Sequence, residues 1–195
     1  MPEKARRALG FDVKGTVSLG LWLARRKHGV PRGALPVPYA SGGSAVFYVV
    51  LFSIVVETVA VEALIRGMDV SPTASAISLA LHAWAVVAAV IVAASYATRP
   101  HVVTSDHVRV RQGAFFDLRV PRAQIADVRL SRVYDAPDGV TVSDATLTVA
   151  VASQTNVVLT LTAPIEVTRP LGARAHASTI HLYADDPTPL LTPNP

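Results

Sequence analysis

Two long apolar runs, residues 44–65 and 74–97, are separated by only eight residues. An α-helix rises about 1.5 Å per residue, so roughly 20 apolar residues cross the hydrocarbon core of a bilayer. Both runs reach this length, and the connection at 66–73 is too short for anything but a turn between antiparallel helices. The sequence therefore predicts a transmembrane helical hairpin, which excludes most classes of soluble enzyme.

Charge asymmetry orients the predicted hairpin. Lysine and arginine crowd the first 32 residues and return after position 98, whereas the connection between the runs holds only one of them, Arg66. Cytoplasmic segments that flank membrane spans are enriched in these residues. We therefore expect a multi-pass integral protein of the cell inner (plasma) membrane, with both termini cytoplasmic and the connection outside.

Residues 1–43 are interpreted as a cytoplasmic basic tail. Within it, residues 11–28 are loosely amphipathic, and Trp22 and three consecutive cations at 25–27 suit a helix lying at the headgroup level. The alternative is a disordered basic tail held near the membrane by charge. The apolar face of the predicted helix carries Val13, Val17, Leu21 and Ala24. Residues 29–43 are rich in proline and glycine and are predicted to be a linker.

Beyond residue 98 the pattern changes from helical to strand-like. Residues 107–111 and 116–120 alternate between apolar and polar side chains, as half-buried strands do. A three-residue loop between them keeps the apolar sides together and sets Arg111 opposite Asp117 on the solvent side. Further strands are predicted at 101–104, 126–130, 145–152, 157–162, 166–168 and 178–183.

Short strands at this spacing predict a small antiparallel barrel or sandwich at 98–186. The fold class is therefore an α+β membrane protein, a two-helix transmembrane hairpin (44–65, 74–97) followed by a β-domain. Residues 187–195 contain four prolines and are predicted to be a disordered tail.

The stretch from Val103 to Phe116 resembles the opening hairpin of bacterial PH-like domains. In this stretch a threonine is followed by alternating apolar positions, an arginine, a glycine and a phenylalanine. Pro121 and Ile125 come after it. The whole chain resembles small two-helix integral membrane proteins of GC-rich bacteria that carry such a domain. The resemblance implies binding or assembly at a membrane. It also implies a closing C-terminal helix, which the proline-rich end of this chain does not favour.

Glu57 and His82 form an intramembrane polar pair in this interpretation. Each lies eight residues from the connection, so an antiparallel hairpin sets them at about the same depth. Ionisable residues at that depth are costly and face a partner. Three interpretations stay open: a hydrogen bond that fixes the hairpin, a contact in an oligomer, and proton or ion chemistry.

A basic patch marks one face of the predicted hairpin of strands. Next to an anionic inner leaflet it can contact anionic lipid headgroups, and the alternative is an ordinary solvated face partly neutralised by Asp117. The lipid-contact candidates are His107, Arg109, Arg111 and Arg119.

No motif of an enzyme, a metal site or a cofactor site is found, and the chain has no cysteine. We expect no catalytic residue, no cofactor, no metal and no nucleic-acid partner. The predicted function is a non-enzymatic, membrane-tethered binding or scaffold module whose β-domain contacts a protein partner or anionic lipid. Small side chains along the second run also suit a homo-oligomer. The alternative is an oligomeric transport or channel accessory subunit that uses Glu57 and His82.

Overall fold

The computed structural model of the chain describes residues 3–68 and 71–191. The described residues form three long helices, a β-domain and a single helical turn. The helices are α1 (Glu3–Leu23), α2 (Ser44–Gly67), α3 (Pro72–Thr98) and α4 (Thr188–Leu191). The α+β class is confirmed.

The predicted hairpin forms as two packed helices, α2 and α3. Each is long and apolar enough to cross a membrane. Pro72 begins α3, where its missing N–H leaves no intrahelical bond unmade. The side chains that face away from the α2–α3 contact are mostly apolar and exposed along both helices.

The N-terminal segment forms one long helix, α1, instead of the shorter helix at 11–28 or the disordered tail that the sequence predicts. It begins at Glu3 and ends at Leu23, and Arg25, in the left-handed region at φ 52°, lies just beyond it. The helix packs against α3 through Gly15, where an added Cβ would lie 2.7 Å from a methyl carbon of Ile91. The apolar face predicted for this segment points away from that contact, and Val13 is exposed.

The β-domain consists of two sheets with a shared apolar core. The first sheet has the strand order β1-β2-β3-β4, and the second has the order β5-β8-β9-β7-β6. The core lies between them and takes buried valines, leucines and isoleucines from both. The strands are β1 (Leu35–Val37), β2 (His101–Val103), β3 (His107–Gln112), β4 (Phe116–Pro121), β5 (Ile125–Val133), β6 (Gly139–Ser143), β7 (Thr146–Ala150), β8 (Thr155–Thr168) and β9 (Arg174–Leu182).

The hairpin of β3 and β4 forms in the predicted register. Val110 pairs with Leu118 and Arg111 pairs with Asp117, across a three-residue turn that begins at Gly113. Gly113 has φ +51°, a conformation that costs a residue with a Cβ more than it costs glycine. The prediction that Arg111 faces solvent is wrong, because the chain at 28–29 covers its side chain.

The first correction to the predicted domain limits is strand β1, which forms inside the segment predicted to be a linker. Leu35, Pro36 and Val37 pair antiparallel with Val103, Val102 and His101. Val37 and Tyr39 are fully buried. The β-domain therefore takes chain from both sides of the helical hairpin, and it does not begin at residue 98.

Other differences concern the second sheet and the C-terminus. Strand β7 runs parallel to β9, so the domain is not wholly antiparallel, and β6 was not predicted. The two strands predicted at 157–162 and 166–168 are one strand, β8, with an irregular register between Thr160 and Ile165. Leu190 of α4 is buried in the core. The predicted disordered tail is therefore wrong up to residue 191, and 192–195 lie outside the described residues.

Replacing Val37 with alanine tests whether β1 belongs to the core. We expect the free energy of unfolding to fall by about 2 kcal/mol, because a buried valine loses two methyl groups and leaves a cavity. The measurement is chemical denaturation of the detergent-solubilised chain, followed by circular dichroism. Leu35→Ala is the matched control, since Leu35 begins the same strand but its side chain is exposed. Equal effects of the two substitutions would contradict the assignment of β1 to the core.

Candidate junction and cleft beside the helical hairpin

The end of α3 is joined to the β-domain by a buried junction. Helix α3 ends at Thr98 and β2 begins at His101, and the residues between them, Arg99 and Pro100, are buried. The Arg99 Nε–H donates to the Ser18 hydroxyl of α1 at 2.9 Å, and its Nη2 donates to the Lys14 carbonyl at 3.3 Å. One side chain thus ties α1 to the point where α3 becomes strand.

Tyr39 links the same point to the turn between β3 and β4. Its hydroxyl donates to the Arg99 carbonyl at 2.9 Å and accepts the Gly113 N–H at 2.7 Å. Burial raises the pKa of the Tyr39 phenol, so it stays neutral and keeps the proton that it donates. A Cβ on Gly113 would lie 2.5 Å from the Ser95 hydroxyl and 2.7 Å from the Tyr96 ring. The turn is therefore packed closely on α3.

Arg111 is the most deeply buried cation of the β-domain, with 1 % of its side chain exposed. Its Nη1 donates to the His28 carbonyl at 2.8 Å, and its Nη2 donates to the Gly29 carbonyl at 3.3 Å. Its Nε lies 3.5 Å from a carboxylate oxygen of Asp117. Residues 28–29 cover the face of β3 that the alternation of its side chains predicts to be exposed to solvent. Arg111 is therefore not available to lipid.

The other predicted lipid-contact residues have different surroundings. Arg109 is mostly buried and makes two hydrogen bonds to the carboxylate of Asp117. His107 is half-buried, and its ring Nδ1 lies 3.1 Å from the Thr104 hydroxyl. Arg119 is exposed and forms no ion pair within the described part of the chain. The structure therefore does not bring the four together as one open patch.

His101 is a neutral, fully buried histidine at the centre of the junction. Its Nδ1 accepts the Arg111 backbone N–H at 2.9 Å, so the proton is on Nε2, which donates to the Tyr183 carbonyl at 3.0 Å. Burial lowers the pKa of His101 to about 4. Burial, and then the nearby charge of Arg99, also lower the pKa of His28, whose Nδ1 accepts a hydrogen bond from Arg99.

An open cleft of about 340 Å³ lies beside this junction, between α1 and the β-domain. The rings of Phe11 and Phe115 meet edge to face along it, with centroids 5.4 Å apart. Lys14 and Arg169 also line it, and neither forms an ion pair within residues 3–68 and 71–191. The carboxylate in its wall, Asp117, already contacts Arg109 and Arg111, so Lys14 and Arg169 add positive charge to the described lining of the cleft.

The predicted pair of Glu57 and His82 does not form. The Nδ1 of His82 is hydrogen-bonded to the Ser78 carbonyl of its own helix at 2.8 Å, and Glu57 is exposed on α2. The hairpin is instead held by Glu62, which is 8 % exposed and accepts a hydrogen bond from the Ser75 hydroxyl. Five residues span about 140° of a helix, so Glu57 cannot face α3 when Glu62 does.

Comparisons with protein-family models, with curated proteins and with solved structures find no match to this chain. Among the described residues, no group of three or more histidine, aspartate or glutamate side chains could hold a metal ion. The site consists of the buried junction and the cleft beside it. Sequence reasoning missed Tyr39, Arg99 and His101. The short three-residue spacing between the helical pattern and the next strand-like pattern was a signal for Arg99 and His101, and no local pattern marked Tyr39.

The pH dependence of stability tests the neutral state of His101. Its native pKa lies below its unfolded value, so the unfolded chain binds a proton that the native chain does not as the pH falls from about 6.5 to about 4. Stability should fall through this window by up to about 1.4 kcal/mol per pH unit, and by about 3 kcal/mol in total.

The measurement is chemical denaturation of the wild-type chain, His101→Gln and His176→Gln at several pH values. His176 lies at an exposed position of β9, so its variant controls for the same substitution outside the junction. The His101 variant should have a shallower slope whatever its overall stability. Identical slopes for all three proteins would contradict the assignment.

Proposed function

We propose that this chain is a membrane-anchored binding module. In this proposal α2 and α3 cross the cytoplasmic membrane as a hairpin, and the β-domain stands on the inner surface to contact anionic lipid or a protein bound there. The junction of Tyr39, Arg99 and Gly113 carries the proposal. It fixes the β-domain directly to the base of α3, so a membrane-embedded α3 would hold the domain at the bilayer in one orientation.

The pairing of β1 with β2 supports a hairpin over any arrangement with an odd number of spans. Strand β1 precedes α2 and strand β2 follows α3, yet Val37 and His101 are partners in one sheet. Both ends of the helical pair must therefore lie on the same side of any membrane that they cross. The positive charge on these flanking segments makes the cytoplasmic side the expected one.

The surface beside the junction favours anionic lipid as one ligand. Helix α1 buries Gly15 and Ser18 and leaves Val13 and Val17 exposed, and the half-exposed Trp22 lies near its end. Exposed cations follow at 25–27, and the cleft adds Lys14 and Arg169. Apolar side chains, a tryptophan and cations on one exposed element are the composition of a helix that lies in the membrane interface.

Single cysteines test the proposed topology, and the chain has none of its own. Ser71→Cys marks the connection between the helices, and Ala163→Cys marks an exposed position of β8. In intact bacterial cells a membrane-impermeant maleimide should label the first variant and should label the second only after permeabilisation. Labelling of both variants, or of neither, in intact cells would contradict a hairpin with cytoplasmic ends.

Tryptophan quenching tests the position of α1. The chain has two tryptophans, so Trp84→Phe leaves Trp22 alone on α1, and Trp22→Phe leaves Trp84 alone on α3. In vesicles, Trp22 should be quenched more by lipids brominated near the headgroup than by lipids brominated near the chain ends. Trp84 should show the opposite preference. Absence of quenching of Trp22 by either lipid would place α1 away from the bilayer and remove the case for lipid contact.

A further inference from the structure

Several hydroxyl and ionisable side chains of α2 and α3 have a partner within the described residues. Hydroxyls of Thr58 and Ser95 donate to backbone carbonyls of their own helices, and Ser75 donates to Glu62. The ring of His82 binds the Ser78 carbonyl. In the middle of α2, Ser53 and Glu57 are exposed and have no hydrogen bond or ion pair within residues 3–68 and 71–191.

Ser53 and Glu57 lie one helical turn apart on a single exposed face of α2. With 3.6 residues per turn, Val46, Val50 and Ala60 fall on the same side, and all are exposed. This face is defined here as the Glu57 face. Because Glu62 lies about 140° away and binds α3, the Glu57 face points away from the hairpin's own contact.

The position of Glu57 along the helix makes this exposure costly. It lies roughly 15 to 20 Å from either end of α2, which is near the middle of a hydrocarbon core if the helix crosses a membrane. Carboxyl groups at that depth face a partner or water. The inference therefore rests on the proposed transmembrane hairpin, and it concerns what covers Glu57 there.

We propose that a second copy of this chain covers the Glu57 face, so that the protein forms a dimer through α2. A two-fold axis parallel to the helices brings the same residues together at the same depth. The Ser53 hydroxyl of one copy can then donate to the Glu57 carboxylate of the other, and the reciprocal bond follows from symmetry. The small side chains of Ser53 and Ala60 allow the two helices to approach closely.

A second copy fits this face better than lipid does, because the face carries both a hydrogen-bond donor and an acceptor within one turn. Acyl chains supply neither group. A second copy of the chain supplies a donor to each Glu57 and an acceptor to each Ser53 without any further component. If an unrelated membrane protein covers this face instead, no disulfide will form between copies of the chain.

Disulfide cross-linking of the full chain, purified and reconstituted in phosphatidylglycerol-containing vesicles, tests the dimer. Ala60→Cys lies on the Glu57 face, and Val59→Cys is its control at the same depth on another exposed face. Under mild oxidation the Ala60 variant should form at least five-fold more covalent dimer than the Val59 variant. Equal cross-linking of the two, or no cross-linking of either, would overturn the proposal. The second result would leave a different membrane protein, or water, as the partner of Glu57.

Substitutions of Glu57 separate hydrogen bonding from packing. In the Ala60→Cys background, Glu57→Gln keeps a group that accepts and donates, so cross-linking should persist. Glu57→Leu removes the hydrogen bond, so the cross-linked fraction should fall several-fold. Cross-linking that is unchanged in the leucine variant would overturn the role of Glu57.

Maleimide labelling of Ser71→Cys in each Glu57 variant provides the control for insertion. Labelling from outside in the variants shows that the hairpin still crosses the membrane, so a loss of cross-linking then reports the dimer alone. A failure of the proposed topology would instead appear as altered labelling of Ser71→Cys in the otherwise wild-type chain.

Discussion

The hydrogen bonds of the Tyr39 hydroxyl are the interaction on which the arrangement of the whole molecule depends. This one oxygen binds the Arg99 carbonyl and the Gly113 N–H, and so joins three segments that are far apart in sequence. A helix leaves its last carbonyls unpaired, and a tight turn leaves an N–H unpaired. Satisfying both kinds of group with a buried phenol fixes the helices and the sheet without a flexible linker. The β-domain consequently has a defined orientation relative to α3.

Two buried arginines complete this junction, and backbone carbonyls are their main partners. Arg99 and Arg111 are nearly inaccessible, and both bind backbone carbonyls of the N-terminal segment. Among the described residues, the carboxylate in contact with this group is that of Asp117, which is bound by Arg109 and lies close to Arg111. Carbonyl dipoles therefore stabilise much of the positive charge, since buried charges need hydrogen-bonding partners. Because these carbonyls belong to the chain that leads out of α1, α1 and the β-domain depend on each other for their position.

Elements with a strong local signal could be predicted from the sequence, and elements defined by distant contacts could not. Hydropathy located α2 and α3, and alternation with a glycine turn gave the register of β3 and β4. Alternation could not reveal that residues 28–29 cover the polar face of β3, so Arg111 was predicted to be exposed. Counting residues predicts the same depth for Glu57 and His82, but it cannot predict their directions around the helices. Strand β1 has three residues, one of them proline, and its only partner follows the helical hairpin, so no local pattern identifies it.

The contribution of β1 to the sheet also has a consequence for how such a chain is assembled. Strand β1 is synthesised before α2, and its partner β2 is synthesised after α3, so the first sheet is complete only when both helices have been made and brought together. If the helices cross a membrane, a chain inserted with one span instead of two leaves β1 and β2 on opposite sides of the bilayer. Val37 and Tyr39 would then be unable to enter the core. In a membrane, completion of the β-domain would therefore act as a check on insertion, because only a correctly threaded hairpin would let the domain fold.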